Sequence, residues 1–155
     1  MSAGEPDWVA AYRASRYAFA PRDGTLERCF TLDGPDPRLA GLAETVTLIT
    51  AWNPLSREMS RVRNEAANLR LARALDRAGV PRTAARGASL PGAEPAWQED
   101  GFALHGLTQA EARDWGLRWE QRALVWLTPA AAGLLFTADG TLVWCSVRDL
   151  APAAA

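Results

Sequence analysis

The residues best suited to chemistry in this 155-residue chain are amides and a carboxylate rather than nucleophiles or metal ligands. Asn53, Asn64 and Asn68 are the only three asparagines, and they share one strand-to-helix segment with Ile49, the only isoleucine. A residue that a chain otherwise avoids is expected to be kept for its amide. An amide offers both donors and an acceptor and so can read a neutral polar molecule. Glu99 and Gln121 are polar groups of the same use, and Trp52 and Trp97 flank them with flat faces that can stack on a planar ligand. Ser56 is a poor nucleophile: no Gly-x-Ser-x-Gly turn frames it, and the only imidazole available is His105. Glu99 can act as a general base if desolvated, but no matched nucleophile or second acid accompanies it. Asp33, Asp36, Glu94, Glu99 and Asp100 do not fall into a metal-loop spacing, and with two Cys and one His no metal and no cofactor is expected.

Each of these residues also has a purely structural use. Asn53 can cap a turn. Asn64 and Asn68 can form a buried network with a neighbouring loop, completed by Glu99 and Gln121.

The elements that must position them follow from the pattern. Thr45 to Trp52 is rich in β-branched residues and apolar enough for a central strand, ended by Asn53-Pro54. Ser56 to Ala78 reads as a long helix closed by Gly79. At 100° per residue, Leu71, Leu75 and Ala78 share a face with Asn64 and Asn68, while Arg63, Arg70 and Arg77 line a solvated side. Shorter helices are expected over Pro6–Ser15, over Arg38–Glu44, and from the capping box Thr108-Gln-Ala-Glu111 through about Trp119. Strands are expected at Tyr17–Ala20, Leu26–Leu32, weakly at Pro81–Ala88, at Gln98–His105 and at Arg122–Leu127. Leu134–Phe136 and Leu142–Val147 suggest a hairpin across Asp139-Gly140. Asp33-Gly-Pro-Asp-Pro37 and Ser89–Pro95 read as loops. The expected architecture is an α/β fold (α+β as the variant): one compact domain over 1–150, a mixed sheet with one long helix and two or three shorter ones, and a frayed tail at 151–155.

Composition narrows the class. The hydrophobic and charged fractions, 48% and 23%, are ordinary for a globular protein, and one core is feasible at this length. No apolar run approaches the ~18 residues that a membrane span needs, and the first residues lack a signal-peptide pattern, so a cytoplasmic protein is expected. Cys29 and Cys145 read as separate buried thiols. The net charge is −1, so nucleic acid is disfavoured, though not excluded, as a partner. All 17 basic residues are Arg, which with the high Ala content reflects a GC-rich genome.

Ile49-Thr-Ala-Trp-Asn-Pro54 with Ser56, then Asn64, Asn68 and Leu71, then Trp97-Gln-Glu99, Phe102 and Gly106-Leu107, then Leu117-Arg-Trp-Glu-Gln121 together resemble the domain-of-unknown-function family numbered 3293. Ala11-Tyr12 and Tyr17 fit its opening. The resemblance implies a bacterial protein without an established activity, and a polar signature carried by Asn53, Ser56, Asn64, Asn68, Glu99 and Gln121. Asp100-Gly101 stands where the family suggests Pro-Ser, and Trp119-Glu120 where it suggests Phe-Gly. The expected function is binding of a small polar ligand, such as a base or nucleotide, by Asn53, Ser56, Asn64, Asn68, Glu99 and Gln121 with Trp52 and Trp97. The alternatives are a protein or nucleic-acid interaction module using the Arg-lined helix, and a hydrolase or transferase using Glu99. An oligomer is compatible with all three.

Overall fold

A computed structural model describes residues 6–150. Helix α1 (Trp8–Arg13) leads into strands β1 (Ser15–Phe19), β2 (Arg28–Asp36) and β3 (Val46–Ile49). A single 3₁₀ turn, Pro54–Ser56, precedes α2 (Arg61–Ala78). Strands β4 (Arg82–Ser89) and β5 (Gln98–His105) follow, then α3 (Gln109–Arg118) and β6 (Ala123–Leu127), β7 (Ala132–Phe136), β8 (Leu142–Cys145) and β9 (Val147–Leu150).

The nine strands form one sheet in the order β8-β7-β6-β3-β5-β4-β1-β2-β9, and every neighbouring pair is antiparallel. The two edge strands, β8 and β9, are consecutive in the chain with only Ser146 between them. A sheet whose edges are tied by one residue has to curl until they meet at that corner, which makes a nearly closed barrel. This corrects the α/β expectation: the sheet is not mixed, and antiparallel strands rather than helices dominate. The misreading has a local cause. Strand β4, Arg-Thr-Ala-Ala-Arg-Gly-Ala-Ser, has almost no β-branched or aromatic residue, and the corner at Ser146 reads in sequence as one uninterrupted strand.

Alternation along the strands builds two cores. Inside the barrel lie Tyr17, Phe19, Phe30, Leu48, Val125 and Leu134, with Cys145 and Val147 from the two edges. On the outer face, Ile49, Leu104, Leu124 and Trp126 pack beneath Leu71 and Leu75 of α2 and Ala112 and Trp115 of α3. Removing each fully buried Leu from water is worth about 2 kcal/mol, so this outer cluster anchors α2 firmly. Asn64 of α2 is buried with Leu71 and Leu75, on the face expected from the helical wheel. No described helix is long and apolar enough to cross a membrane. No disulfide joins Cys29 to Cys145.

Three local expectations change. Arg38–Glu44 is not helical; Gly41 takes φ 87, and Leu39 and Leu42 turn inward to plug one end of the barrel. Asp33–Asp36 continues β2 instead of looping out, bulging around Ser146, with a register shift between Thr31 and Asp36 that accommodates Pro35. Helix α2 begins at Arg61, because Ser60 rather than Ser56 caps it by accepting a hydrogen bond from the Arg63 N–H. The expected tail at 151–155 lies outside the described residues.

Candidate functional site

The pairings bring the start of β1, the end of β3, the end of β4, the start of β5 and the start of β6 to the same end of the barrel. A cleft of about 860 Å³ opens there, between α1, the segment 52–61 and the segment 95–100. Trp52, Asn53, Ser56, Asn64, Trp97, Glu99 and Gln121 all border it. Of the site residues expected from sequence only Asn68 does not.

The three asparagines spend their amides on the chain itself. Asn64 Oδ1 accepts from the Asn53 N–H at 2.9 Å, and its Nδ2 donates to Asn53 Oδ1 at 3.0 Å and to the Met59 carbonyl at 3.3 Å. Asn53 Oδ1 also accepts from the Met59 N–H, and Asn53 Nδ2 donates to Glu99 Oε1 at 2.8 Å. Asn68 accepts from the Ala51 N–H and donates to the Asp100 carbonyl. Helix α2 therefore staples the chain on both sides of Trp52, where it leaves β3. Gln121 does the same from the turn before β6, donating to the carbonyls of Trp52 and Trp119.

The staples hold an unusual backbone. Asn53, Leu55 and Ser56 have φ of 47, 50 and 64, and Glu120, whose carbonyl accepts from the Leu55 N–H at 2.6 Å, has φ 52. Left-handed non-glycine residues cost on the order of 1 kcal/mol or more each and persist where surrounding bonds over-determine them. Arg122 adds to those bonds, donating to Ser56 Oγ and the Leu55 carbonyl while its guanidinium stacks on Trp8. The Ser56 hydroxyl is thus engaged, and His105 bonds Thr83 at the far end of β5 from Glu99, about 20 Å along the strand. No Ser56–His105 pair forms.

Glu99 is the chemically distinctive group. Its Oε1 is held by Asn53, and its Oε2 has no hydrogen-bond partner among the described residues. Burial raises its pKa, and the Asn53 hydrogen bond only partly offsets this. Burial, and next the neighbouring Glu99 charge, push the Tyr12 phenol up to about 12, so it stays a neutral donor. The Trp52 indole N–H is buried without a partner. The cleft wall thus holds one unspent acceptor, Glu99 Oε2, beside aromatic rings, while the Trp52 indole N–H is covered by the protein.

The raised Glu99 value has a stability consequence. Between the ordinary value of 4.5 and the raised one, the folded state holds a proton that the unfolded state has released, so stability falls as pH rises through that window. Glu99→Gln keeps an acceptor for Asn53 but cannot ionise. The variant should gain stability relative to the parent as pH goes from 4 to 8, measured by denaturant midpoints. A relative gain by the parent over that range would show the carboxylate to be favoured by its surroundings.

Tyr12, Trp8 and Arg122 belong to this site and were not among the residues expected from sequence. Tyr12 and Trp8 lie on a short N-terminal helix far from the asparagines in the chain, and nothing in their spacing announces the approach. Arg63, Arg70 and Arg77 are exposed, as expected, and Arg63 and Arg70 border a separate shallow groove on α2.

A family model described as "Protein of unknown function (DUF3293)" matches residues 49–124, in agreement with the resemblance read from the motifs between Ile49 and Gln121; Ala11-Tyr12 and Tyr17 lie outside the match. The matched stretch contains the three asparagines, Glu99 and Gln121, and leaves α1 outside it. Comparison with curated proteins and with solved structures gave no match.

Proposed function

We propose that the protein, whose residues 49–124 match the DUF3293 family model, binds a small planar molecule bearing N–H groups, a heterocyclic base or nucleoside, in the cleft at the barrel mouth. The observation that carries this reading is Glu99: a half-buried carboxylate with one oxygen unspent, in the wall of an open cleft. A carboxylate in that position is satisfied by a ligand N–H, and the charge-assisted bond is the stronger for being partly desolvated. Trp52 and Trp97 offer flat faces for the ring. The size fits, since small-molecule sites run to roughly 300–1,000 Å³. In this reading the amides take the structural one of the two parts open to them. They hold the loop that forms one wall, and Glu99 reads the ligand.

The test is calorimetric titration with guanosine, adenosine, cytidine and uridine. Guanosine presents two adjacent N–H donors to one carboxylate and is expected to bind best, and Glu99→Gln should abolish that binding while the far-ultraviolet spectrum is unchanged. The reading is lost if no nucleoside binds, or if the Gln variant binds as well as the parent.

A further inference from the structure

Beneath the cleft a smaller recess of about 100 Å³ leads into the barrel, and Tyr12, Trp97, Glu99 and Gln121 border both spaces. Its other walls are inward-facing barrel residues, Tyr17, Leu48, Ala85 and Val125, and the backbone at Gly87. We propose that this recess is a second subsite, which takes an apolar ring or short chain attached to the group that Glu99 binds. This inference rests on the proposed ligand reading of Glu99.

Three observations support it. The recess is continuous with the cleft at the carboxylate, so a ligand held there has its next atoms directed either to solvent or into the barrel. Its walls are apolar apart from Glu99 itself, Thr50, Gln121, Arg86 and the two tyrosines, and the Thr50 hydroxyl donates to the Asp100 carbonyl. Gln121 is spent on the Trp52 and Trp119 carbonyls, Arg86 is paired with Glu27, and the Tyr17 hydroxyl donates to the Tyr12 carbonyl at 2.7 Å. Apart from the Tyr12 hydroxyl and Glu99 Oε2 at the mouth, an apolar substituent would therefore displace water from polar groups that are already satisfied, which favours its burial. Gly87 leaves the recess open: it pairs with Tyr17 across β1–β4, and a Cβ there would meet the Tyr17 ring at 3.6 Å and Trp97 at 3.8 Å. Those are ordinary contacts, so a Cβ fits without moving the sheet, and it would narrow the recess.

Acetamidine and benzamidine test the subsite. Both offer the same N–H pair to a carboxylate, and only benzamidine carries a ring. Benzamidine should bind tighter by on the order of tenfold or more, the scale expected for burying a ring. Gly87→Val should remove that advantage and leave acetamidine binding unchanged, with Gly87→Ala between the two, each variant first shown to keep the parent's unfolding midpoint. If valine disturbs the fold, the alanine variant and the amidine pair on the parent protein decide. Equal affinities for the two amidines, both lost in Glu99→Gln, would overturn the recess and leave the Glu99 reading standing. Amidine binding that is indifferent to Glu99→Gln, or absent altogether, would overturn both.

Discussion

Asn64→Ala should destabilise the protein by about 3 kcal/mol with no ligand present, because it strands buried polar groups rather than removing a ligand contact. The side chain is 3% exposed. It accepts from the Asn53 N–H and donates to Asn53 Oδ1 and the Met59 carbonyl. Alanine leaves the Asn53 N–H without its acceptor and the Met59 carbonyl without its donor, and each uncompensated group costs roughly 1–3 kcal/mol. Asn53, the first of the left-handed residues at 53, 55 and 56, is held by these bonds, so the loop should loosen from that end as well. Chemical denaturation reads the loss in stability, and amide hydrogen exchange at residues 51–59 reads the loosening. Asn68→Ala, which loses one backbone donor and one backbone acceptor at a less buried position, should cost less. A midpoint that Asn64→Ala leaves within experimental error of the parent would mean that the amide does not hold the loop.

Gly101→Ala should be at least as severe, about 3 kcal/mol or more, on the scale of overpacking in a rigid interior. Gly101 is buried on β5 beside the point where the chain leaves β3. A Cβ there would collide with the Ile49 carbonyl and crowd the Thr50 Cα at 3.0 Å. Neither neighbour is a flexible side chain. Thr50 is held by its own hydroxyl on the Asp100 carbonyl at 2.6 Å, and Ala51 by Asn68. The backbone cannot retreat without undoing the staple that shapes the cleft. The variant should therefore lose much of its folded yield, and what folds should unfold at a far lower denaturant concentration. An unfolding midpoint equal to the parent's would show that β3 and β5 can separate at little cost.

The two departures from the resemblance lie at both ends of this region, at Gly101 and Glu120. Glu120 has a left-handed φ of 52, the conformation glycine adopts without strain, and glycine is the residue that the resemblance implies there. At 101 the reverse holds. No side chain fits, so the approach of β3 to β5 is set by this chain's own glycine.

The cluster was legible in the sequence because composition and helical period point the same way. Rare asparagines at 64 and 68 lie on the apolar face of a helix, and a buried amide must find a partner. What those partners would be was not legible. The bonds run to the backbone of residues 51, 53 and 59, whose path depends on left-handed turns at non-glycine residues that no propensity foretells. The barrel was hidden for a different reason. Each strand from β6 to β8 shows its apolar pattern, but closure depends on which strands lie side by side, and β3 pairs with β5 and β6 across a helix and a strand or more of intervening chain. Alanine-rich β4 carries little signal of its own and is held by neighbours on both sides.

The corner at Ser146 also orders events in time. Strand β9 is the last element of the described chain, and it is the strand that covers the free edge of β2. Until residues 147–150 have been made and have docked, β2 presents unpaired backbone groups to any passing strand, the kind of edge that recruits other chains. The contact joins segments more than a hundred residues apart, so it closes late and slowly. A nascent or thermally opened molecule is thus most exposed to self-association at the seam between β2 and β9.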